Sequence, residues 1–367
     1  MSNKKTIRLL LTGGGTGGHL FPAVATAQQF QKQFPNTEVL FVGTNRKVDT
    51  RSLKMYGYES KNIVCHGVKG KNPYQLLKAI VTLPRAYMQA LKIIRQFAPD
   101  IIVGVGGYVT GPVVSAGKSM GIPAVIHEQN SVPGLANRKL GAIVDKICLS
   151  LPGSGAHFNQ SKIVYTGNPV RADILKLAEE KAKASSKKKT ILVLGGSQGA
   201  QAINVMFPKA IGTLGKETVG LVKIIHQTGE KDVEGVRKAY ELCNVEALVE
   251  PFFKKMDNVY READLVVSRA GATTLAEISV LGKPAILIPY PYAADNHQEK
   301  NGDYYVQGGG AMQFIQKSLS ADKLGEAVIT LLSNPEKREK MSAAMRKLSF
   351  PDAAERIVLC CLERMKV

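Results

Sequence analysis

Two stretches of this chain share one layout. At Leu10 to Ala27, and again at Leu192 to Met206, an apolar run passes into a glycine-rich loop and then a helix. Short runs rich in Val, Ile and Leu recur throughout: Ile7 to Leu11, Val39 to Val42, Ile101 to Val103, Ala124 to Ile126, Ile191 to Leu194, Leu221 to Ile225, Leu265 to Val267 and Ala285 to Ile288. A continuous apolar run suits a parallel strand covered on both faces, because neither face meets water. Amphipathic stretches lie between them, for example Pro22 to Phe34, Leu76 to Gln96, Ala200 to Ala210 and Thr274 to Leu281. Strand and helix in alternation predict an α/β protein with parallel sheets, and the repeated opening predicts two doubly wound, Rossmann-like domains.

The length of 367 residues agrees with two domains of roughly 100–200 residues each. With 44% hydrophobic and 22% charged residues the chain is neither disordered nor collagen-like. The polar segment Glu179 to Lys189 cannot build a core and reads as a solvated linker at the natural boundary between the domains. Open parallel sheets bind ligands beyond the carboxyl ends of their strands, so two facing domains would put the site in the cleft between them.

Lys and Arg number 49 against 30 Asp and Glu, a net charge of +19. A nucleic acid, an anionic membrane or a phosphorylated substrate all fit that sign. For nucleic acid the rest of the sequence gives little: no zinc finger, no Lys/Arg stripe at recognition-helix spacing, no Trp and only 6% aromatics. Five cysteines without C-x-x-C spacing suggest neither a disulfide framework nor a zinc site, and a reducing compartment is the easier reading. No signal peptide is read at Met1 to Thr12. The uncharged stretch Ile101 to Gly117 falls short of the ~20 apolar residues of a membrane span, so any membrane work would be at the surface.

The first loop, Gly13-Gly14-Gly15-Thr16-Gly17-Gly18-His19, lets the backbone approach a ligand closely, and amides at a helix start favour an anion. It formally matches G-x-G-x-x-G. However, the second strand ends Phe41-Val42-Gly43-Thr44, without the acidic residue of a dinucleotide site, and no P-loop Lys follows Gly18. His19 at the loop-to-helix junction is either a polar helix-start residue or a general base working near neutral pH. The second loop, Gly195-Gly196-Ser197-Gln198-Gly199-Ala200, offers Ser197 to cap the helix or to bind phosphate. In Ser268 to Glu277 an acid follows small and hydroxyl residues, and a carboxylate there can accept two hydrogen bonds from a ribose diol. No Asp-x-Asp occurs, so no ligand pair for a nucleotide-bound divalent ion is seen, and basic groups such as Arg171 would hold phosphates instead.

Taken together, Gly13 to His19, Gly106 to Pro112, His127-Glu128-Gln129-Asn130, Gly167 to Arg171, Gly195 to Ala200, Gly271 to Glu277 and Asp295 to Asn301 resemble the MurG family of peptidoglycan N-acetylglucosaminyltransferases, in the family's order along nearly the whole chain. The resemblance implies a two-domain glycosyltransferase of the B-type fold, with residues 1–170 binding the acceptor and the membrane, residues 171–350 binding UDP-GlcNAc, and the final helix, 351–367, packing back on the first domain. It implies no metal and no cofactor. Thr16, Gly17 and Gly18 would lie beside the donor sugar and diphosphate, with Asn130 and Arg171 also on the donor and Ser197 at the phosphates. Ala272, Thr273, Thr274, Leu275, Ala276 and Glu277 would hold the nucleotide, Glu277 on the ribose. The backbone of Phe253 would read the uracil and Gln298 would bind the GlcNAc hydroxyls.

The implied reaction is an inverting transfer of GlcNAc to the muramyl 4-hydroxyl of undecaprenyl-pyrophosphoryl-MurNAc-pentapeptide, with His19 as base and Glu128 as the alternative. The implied location is the cytoplasmic face of the bacterial inner membrane. Lys69, Lys71, Lys78 and Arg85, interleaved with Leu76, Leu77, Ile80, Leu83 and Tyr87, form a basic and apolar stretch suited to an anionic membrane surface; inward packing of the apolar residues is the alternative. Another UDP-sugar enzyme of the same fold, such as a UDP-GlcNAc 2-epimerase or a transferase to a different acceptor, is the rival reading, since fold does not fix function.

Overall fold

The computed structural model describes residues 6–14, 17–44, 53–65, 73–180, 188–196 and 199–365, of which residues 17 and 73–80 are described as backbone. The chain divides into two compact units, Met1–Arg171 with Phe350–Val367, and Ala172–Ser349.

In the first unit the described strands are β1 (Arg8–Thr12), β2 (Glu38–Gly43), β3 (Glu59–Asn62), β4 (Ile101–Gly104), β5 (Ala124–Glu128), β6 (Lys146–Leu149) and β7 (Ile163–Tyr165). They form one sheet in the order β3-β2-β1-β4-β5-β6-β7, with every neighbouring pair parallel. The second unit holds β8 (Lys189–Leu194), β9 (Val222–Gln227), β10 (Glu246–Glu250), β11 (Leu265–Ser268), β12 (Ala285–Leu287) and β13 (Ala311–Gln313). Their order is β10-β9-β8-β11-β12-β13, again all parallel. Both sheets start at an inner strand, run to one edge and then reverse. The reversal falls between β1 and β4 in the first unit and between β8 and β11 in the second, where such sheets take their ligands.

Alternation along β1 explains the double winding. Leu9 and Leu11 face the helix Gly17–Gln33 through Leu20, Val24 and Phe30, and face the helix Ala353–Leu362 through Ile357 and Val358. Leu10 faces the opposite way, toward Ala86, Ala90 and Ile94 of the helix Pro73–Phe97 and Val113 and Val114 of the helix Thr110–Ser119. The second unit repeats the scheme: Ile191 and Val193 share a core with Ile203 and Phe207 of the helix Gln201–Gly212 and with Leu324 and Val328 of the helix Ala321–Leu332.

Three sequence expectations are corrected. The first helix opens at Gly17, five residues before Pro22, because two of the loop glycines are wound into its first turn. The division between units falls at Arg171, ahead of the polar segment 179–189. The helix Ala172–Glu179 belongs to the second unit, where Ile174 and Leu177 are buried and the helix packs on Met256–Glu262 and Ala272–Leu281. Five strands lay outside the expected runs: β3, β7, β10 and β13, which are the sheet edges, and β6, whose apolar part is only Ile147-Cys148-Leu149. Edge strands are half-solvated and carry polar residues, as Glu59-Ser60-Lys61-Asn62 does in β3.

Candidate active site

At the first reversal the loops after β1 and β4 press together backbone to backbone. A Cβ on Gly107 would lie 2.7 Å from the carbonyl oxygen of Gly14, and one on Gly13 would lie 2.3 Å from Val105 Cγ2. Gly107 also has φ +85°, a conformation that L side chains rarely adopt. Gly106, with φ +96°, carries the His19 ring directly on its backbone: a Cβ there would meet Cε1 at 3.0 Å and Nδ1 at 3.2 Å. His19 stands in the first turn of the helix Gly17–Gln33, where the helix dipole favours an anion.

Behind His19 lies a buried polar chain. His19 Nδ1 is 3.0 Å from Gln129 Oε1. Gln129 Nε2 donates to the Val105 carbonyl at 2.9 Å and faces His127 Nδ1 at 3.0 Å. His127 Nε2 lies 3.0 Å from the Gly167 carbonyl and 3.0 Å from Ser150 Oγ. His127 is fully buried, and burial pushes its imidazole down to about 4, so the ring is neutral at pH 7.

Glu128, the alternative base, is placed otherwise. Its Oε1 accepts from the Asn130 amide at 3.0 Å and Asn130 Nδ2 at 3.3 Å; its Oε2 accepts from the Gly134 amide at 3.0 Å and Asn137 Nδ2 at 2.9 Å. Four donors fill the four lone-pair positions of a carboxylate. The buried Glu128 thus organises the loop that carries Asn130 and is not presented to a substrate proton. Asn137, which also donates to the His127 carbonyl, had no sequence signal, because its partners reach it only through folding of the loop after β5.

Arg171 places its guanidinium 5.0 Å from the centre of the Phe21 ring, a cation–π contact that puts the charge beside the first turns of the His19 helix. Among the described residues, Thr12 Oγ1, Thr44 Oγ1 and both amide atoms of Asn168, buried at or just beyond the carboxyl ends of β1, β2 and β7, have no hydrogen-bond partner. Such atoms are rare in folded proteins and mark places where a polar partner is expected.

The second unit repeats the close approach. A Cβ on Gly199 would lie 2.1 Å from the Thr228 carbonyl oxygen, and one on Gly195 would lie 2.6 Å from the Ala200 nitrogen. The helix N-cap falls on Ala200, three residues beyond Ser197. Gln227, at the end of β9, donates to the Gly196 carbonyl at 3.2 Å and accepts the Phe253 amide at 3.1 Å, so the main-chain N–H of Phe253 is already engaged. After β11, residues 272–274 form the half-buried first turn of the helix Ala272–Leu281, while the Leu275 side chain is fully buried in the core and offers a ligand only main chain. Glu277 is buried and accepts from Tyr260 OH at 3.0 Å, a partner that the sequence did not suggest. Gln298 Oε1 accepts the Tyr290 amide at 3.0 Å. Asn301 Nδ2 donates to the Ala270 carbonyl at 3.2 Å and ties the Gln298 helix to the loop after β11.

Of the other expected residues, Thr16, Ser197, Lys69 and Lys71 lie outside the described residues, and Leu76, Leu77, Lys78 and Ile80 lie where the helix Pro73–Phe97 is described as backbone. In that helix Leu83 and Arg85 are exposed, with Val81 (67%) and Met88 (63%) beside them. Tyr87 corrects its assignment to this surface, since its hydroxyl bonds Ser119 Oγ at 2.7 Å and its ring packs toward the core. Among the described residues no helix is long and apolar enough to cross a membrane.

Paired Rossmann-type sheets with glycine loops at both reversals are the architecture of two-domain glycosyltransferases, and the chain is one: residues 9–149 match the glycosyltransferase family 28 N-terminal domain and residues 190–357 the family 28 C-terminal domain. More narrowly, it belongs to the family of UDP-N-acetylglucosamine--N-acetylmuramyl-(pentapeptide) pyrophosphoryl-undecaprenol N-acetylglucosamine transferases. It is 54% identical to the protein of that name from Desulfotalea psychrophila over 98% of both chains. The crystal structure of Acinetobacter baumannii MurG superposes with a TM-score of 0.77 at 30% identity, covering 97% of this chain and 99% of that one. A UDP-GlcNAc 2-epimerase from Neisseria meningitidis, bound to UDP-GlcNAc, shares the fold with a TM-score of 0.70 but only 17% identity over 98% of this chain and all of that one. That likeness is one of fold and gives the epimerase reading no further support.

Proposed function

We propose that the chain transfers N-acetylglucosamine from UDP-GlcNAc to the 4-hydroxyl of the muramyl sugar in undecaprenyl-pyrophosphoryl-MurNAc-pentapeptide, with inversion at the anomeric carbon. The acceptor oxygen forms its bond to C1 while the bond from C1 to the UDP oxygen breaks on the opposite face, giving a β-1,4 linkage. The hydroxyl proton passes to His19 Nε2, and the departing electron pair resides on the UDP diphosphate.

The observation that carries this reading is the setting of His19. Its ring rests on the Gly106 backbone with Nδ1 held by Gln129, and among the described residues Nε2 has no hydrogen-bond partner. A ring held by one nitrogen with the other open is the arrangement a general base needs. Charge on the diphosphate would be met by main-chain amides at Gly17 and Gly18, by Arg171 and by the loop at Ser197. Thr16 and Asn130 would orient the donor sugar and Gln298 its hydroxyls. Residues 272–277 would hold the nucleotide, with Glu277 on the ribose, and the Phe253 main chain would meet the uracil once Gln227 yields its amide.

The lipid-linked acceptor calls for attachment to the cytoplasmic face of the membrane. A net charge of +19 and the exposed Val81, Leu83, Arg85 and Met88 on one helix support such attachment without a spanning segment.

Incubation of the purified chain with UDP-GlcNAc and a muramyl-pentapeptide pyrophosphoryl-lipid analogue tests the proposal. The β-1,4-linked disaccharide lipid and one UDP per transfer are expected. Epimerisation of UDP-GlcNAc without transfer would overturn it.

A further inference from the structure

We propose that Gln129 is a positioning residue for the reaction: pinned between the Val105 carbonyl and the His127 ring, its amide dictates that His19 carries its ring proton on Nδ1 and keeps Nε2 free to accept one. The inference rests on the reading of His19 as base and adds how that base is held in its working form.

The proton assignment is set from both ends by main-chain carbonyls, which can only accept. The Val105 carbonyl lies 2.9 Å from one terminal atom of the Gln129 side chain, so that atom is the amide nitrogen. The other terminal atom, facing His19 Nδ1 at 3.0 Å, is therefore the carbonyl oxygen, and His19 Nδ1 must donate to it. At the far end the Gly167 carbonyl lies 3.0 Å from His127 Nε2, which must also donate, and Ser150 Oγ, 3.0 Å from the same nitrogen, shares that N–H as an acceptor. That leaves His127 Nδ1 as the acceptor of the second Gln129 N–H, at 3.0 Å. A single arrangement of protons satisfies every link, and burial keeps His127 neutral, as the arrangement requires.

Turning the amide over would aim its nitrogen at His19 and its oxygen at both the Val105 carbonyl and the acceptor nitrogen of His127. Two buried acceptor contacts would then face an acceptor, leaving each without a proton to share. Gln129 is 2% exposed and His127 is fully buried, so water does not relieve that cost. The chain Gly167–His127–Gln129 thereby transmits a fixed orientation from the loop after β7 to the catalytic ring. A neutral amide achieves this without the negative charge a carboxylate would place beside an anionic donor.

The test is the tautomer of His19, read by two-bond nitrogen–proton correlation on the full chain labelled with 15N-histidine. The sequence has six histidines, and the His19 signals are assigned by their loss in His19→Asn. At neutral pH the wild-type ring is expected to show a protonated Nδ1 and a bare Nε2. In Gln129→Met, which keeps the volume and removes the acceptor, the ring shifts toward the Nε2-protonated form. The kcat then falls about tenfold while KM for UDP-GlcNAc stays within about twofold, a loss within the range of a misused general base.

A wild-type ring protonated on Nε2 overturns the proposal without any variant, so poor folding of Gln129→Met cannot shield it. An unchanged tautomer in folded Gln129→Met overturns it equally. A shifted tautomer with unchanged kcat would show instead that His19 is not the base, and the positioning role would fall with that reading.

Discussion

Gly107 lies so close to Gly14 that a Cβ on Gly107 would sit 2.7 Å from the Gly14 carbonyl oxygen. This contact sets the separation of the two loops that cradle His19, and it combines with a φ of +85° at Gly107. Gly107→Ala is therefore expected to lower the unfolding free energy by roughly 1–3 kcal/mol and the transfer rate more than tenfold. Chemical denaturation and initial rates measure both; an alanine variant with wild-type stability and rate would show that the loops do not meet as described.

Glu128 gives a second prediction. In Glu128→Gln an NH2 group replaces one oxygen and confronts two donors, leaving buried N–H groups unsatisfied at a cost of roughly 1–3 kcal/mol each. The expected outcome is a clear loss of stability and a raised KM for UDP-GlcNAc as Asn130 loses its support. A stable variant whose kcat alone collapses would return Glu128 to the role of base.

Two buried imidazoles give the stability a direction with pH. Burial pushes His127 down to about 4 and His226 down to about 3, below the ~6.5 of an unfolded chain. Below about pH 6.5 the unfolded chain binds protons that the folded one refuses. The contribution of these rings is thus full above that pH and drains as pH falls toward the folded values. Between pH 6.5 and 5 each ring is expected to remove about 2 kcal/mol. Denaturant midpoints at pH 7 and 5 measure the slope, and His226→Gln, which cannot titrate, should flatten it even if it is less stable throughout. An equal slope in the variant would remove His226 from the account.

The face that carries Val81, Arg85 and Met88 spans two helical turns and is exposed. Val81→Glu with Met88→Glu is expected to weaken flotation with anionic vesicles at least tenfold while leaving the melting temperature unchanged, because neither side chain is in the core. Undiminished flotation, or equal binding to neutral vesicles, would place membrane attachment elsewhere.

How much of this was legible beforehand depended on how many faces of an element are buried. Interior strands such as Leu9-Leu10-Leu11 declare themselves as apolar runs, whereas the edge strand Glu59–Asn62 is held by main-chain pairing that polar side chains conceal. Glycine loops were legible because close backbone approach leaves a compositional mark. Their hydrogen-bond partners were not: Asn137 meets Glu128, Tyr260 meets Glu277 and Gln227 meets Phe253 only after the chain returns upon itself. The start of the first helix was missed for the opposite reason. Gly17 and Gly18 have low helix propensity, yet the helix begins there because Leu20, Val24 and Phe30 are buried along one stripe.

Transfer of the acceptor proton to His19 Nε2 is tested by the single-turnover rate of His19→Ala with UDP-GlcNAc saturating. The rate is expected to fall about 10²–10⁴-fold with donor affinity retained. A rate within twofold of the wild type would contradict it.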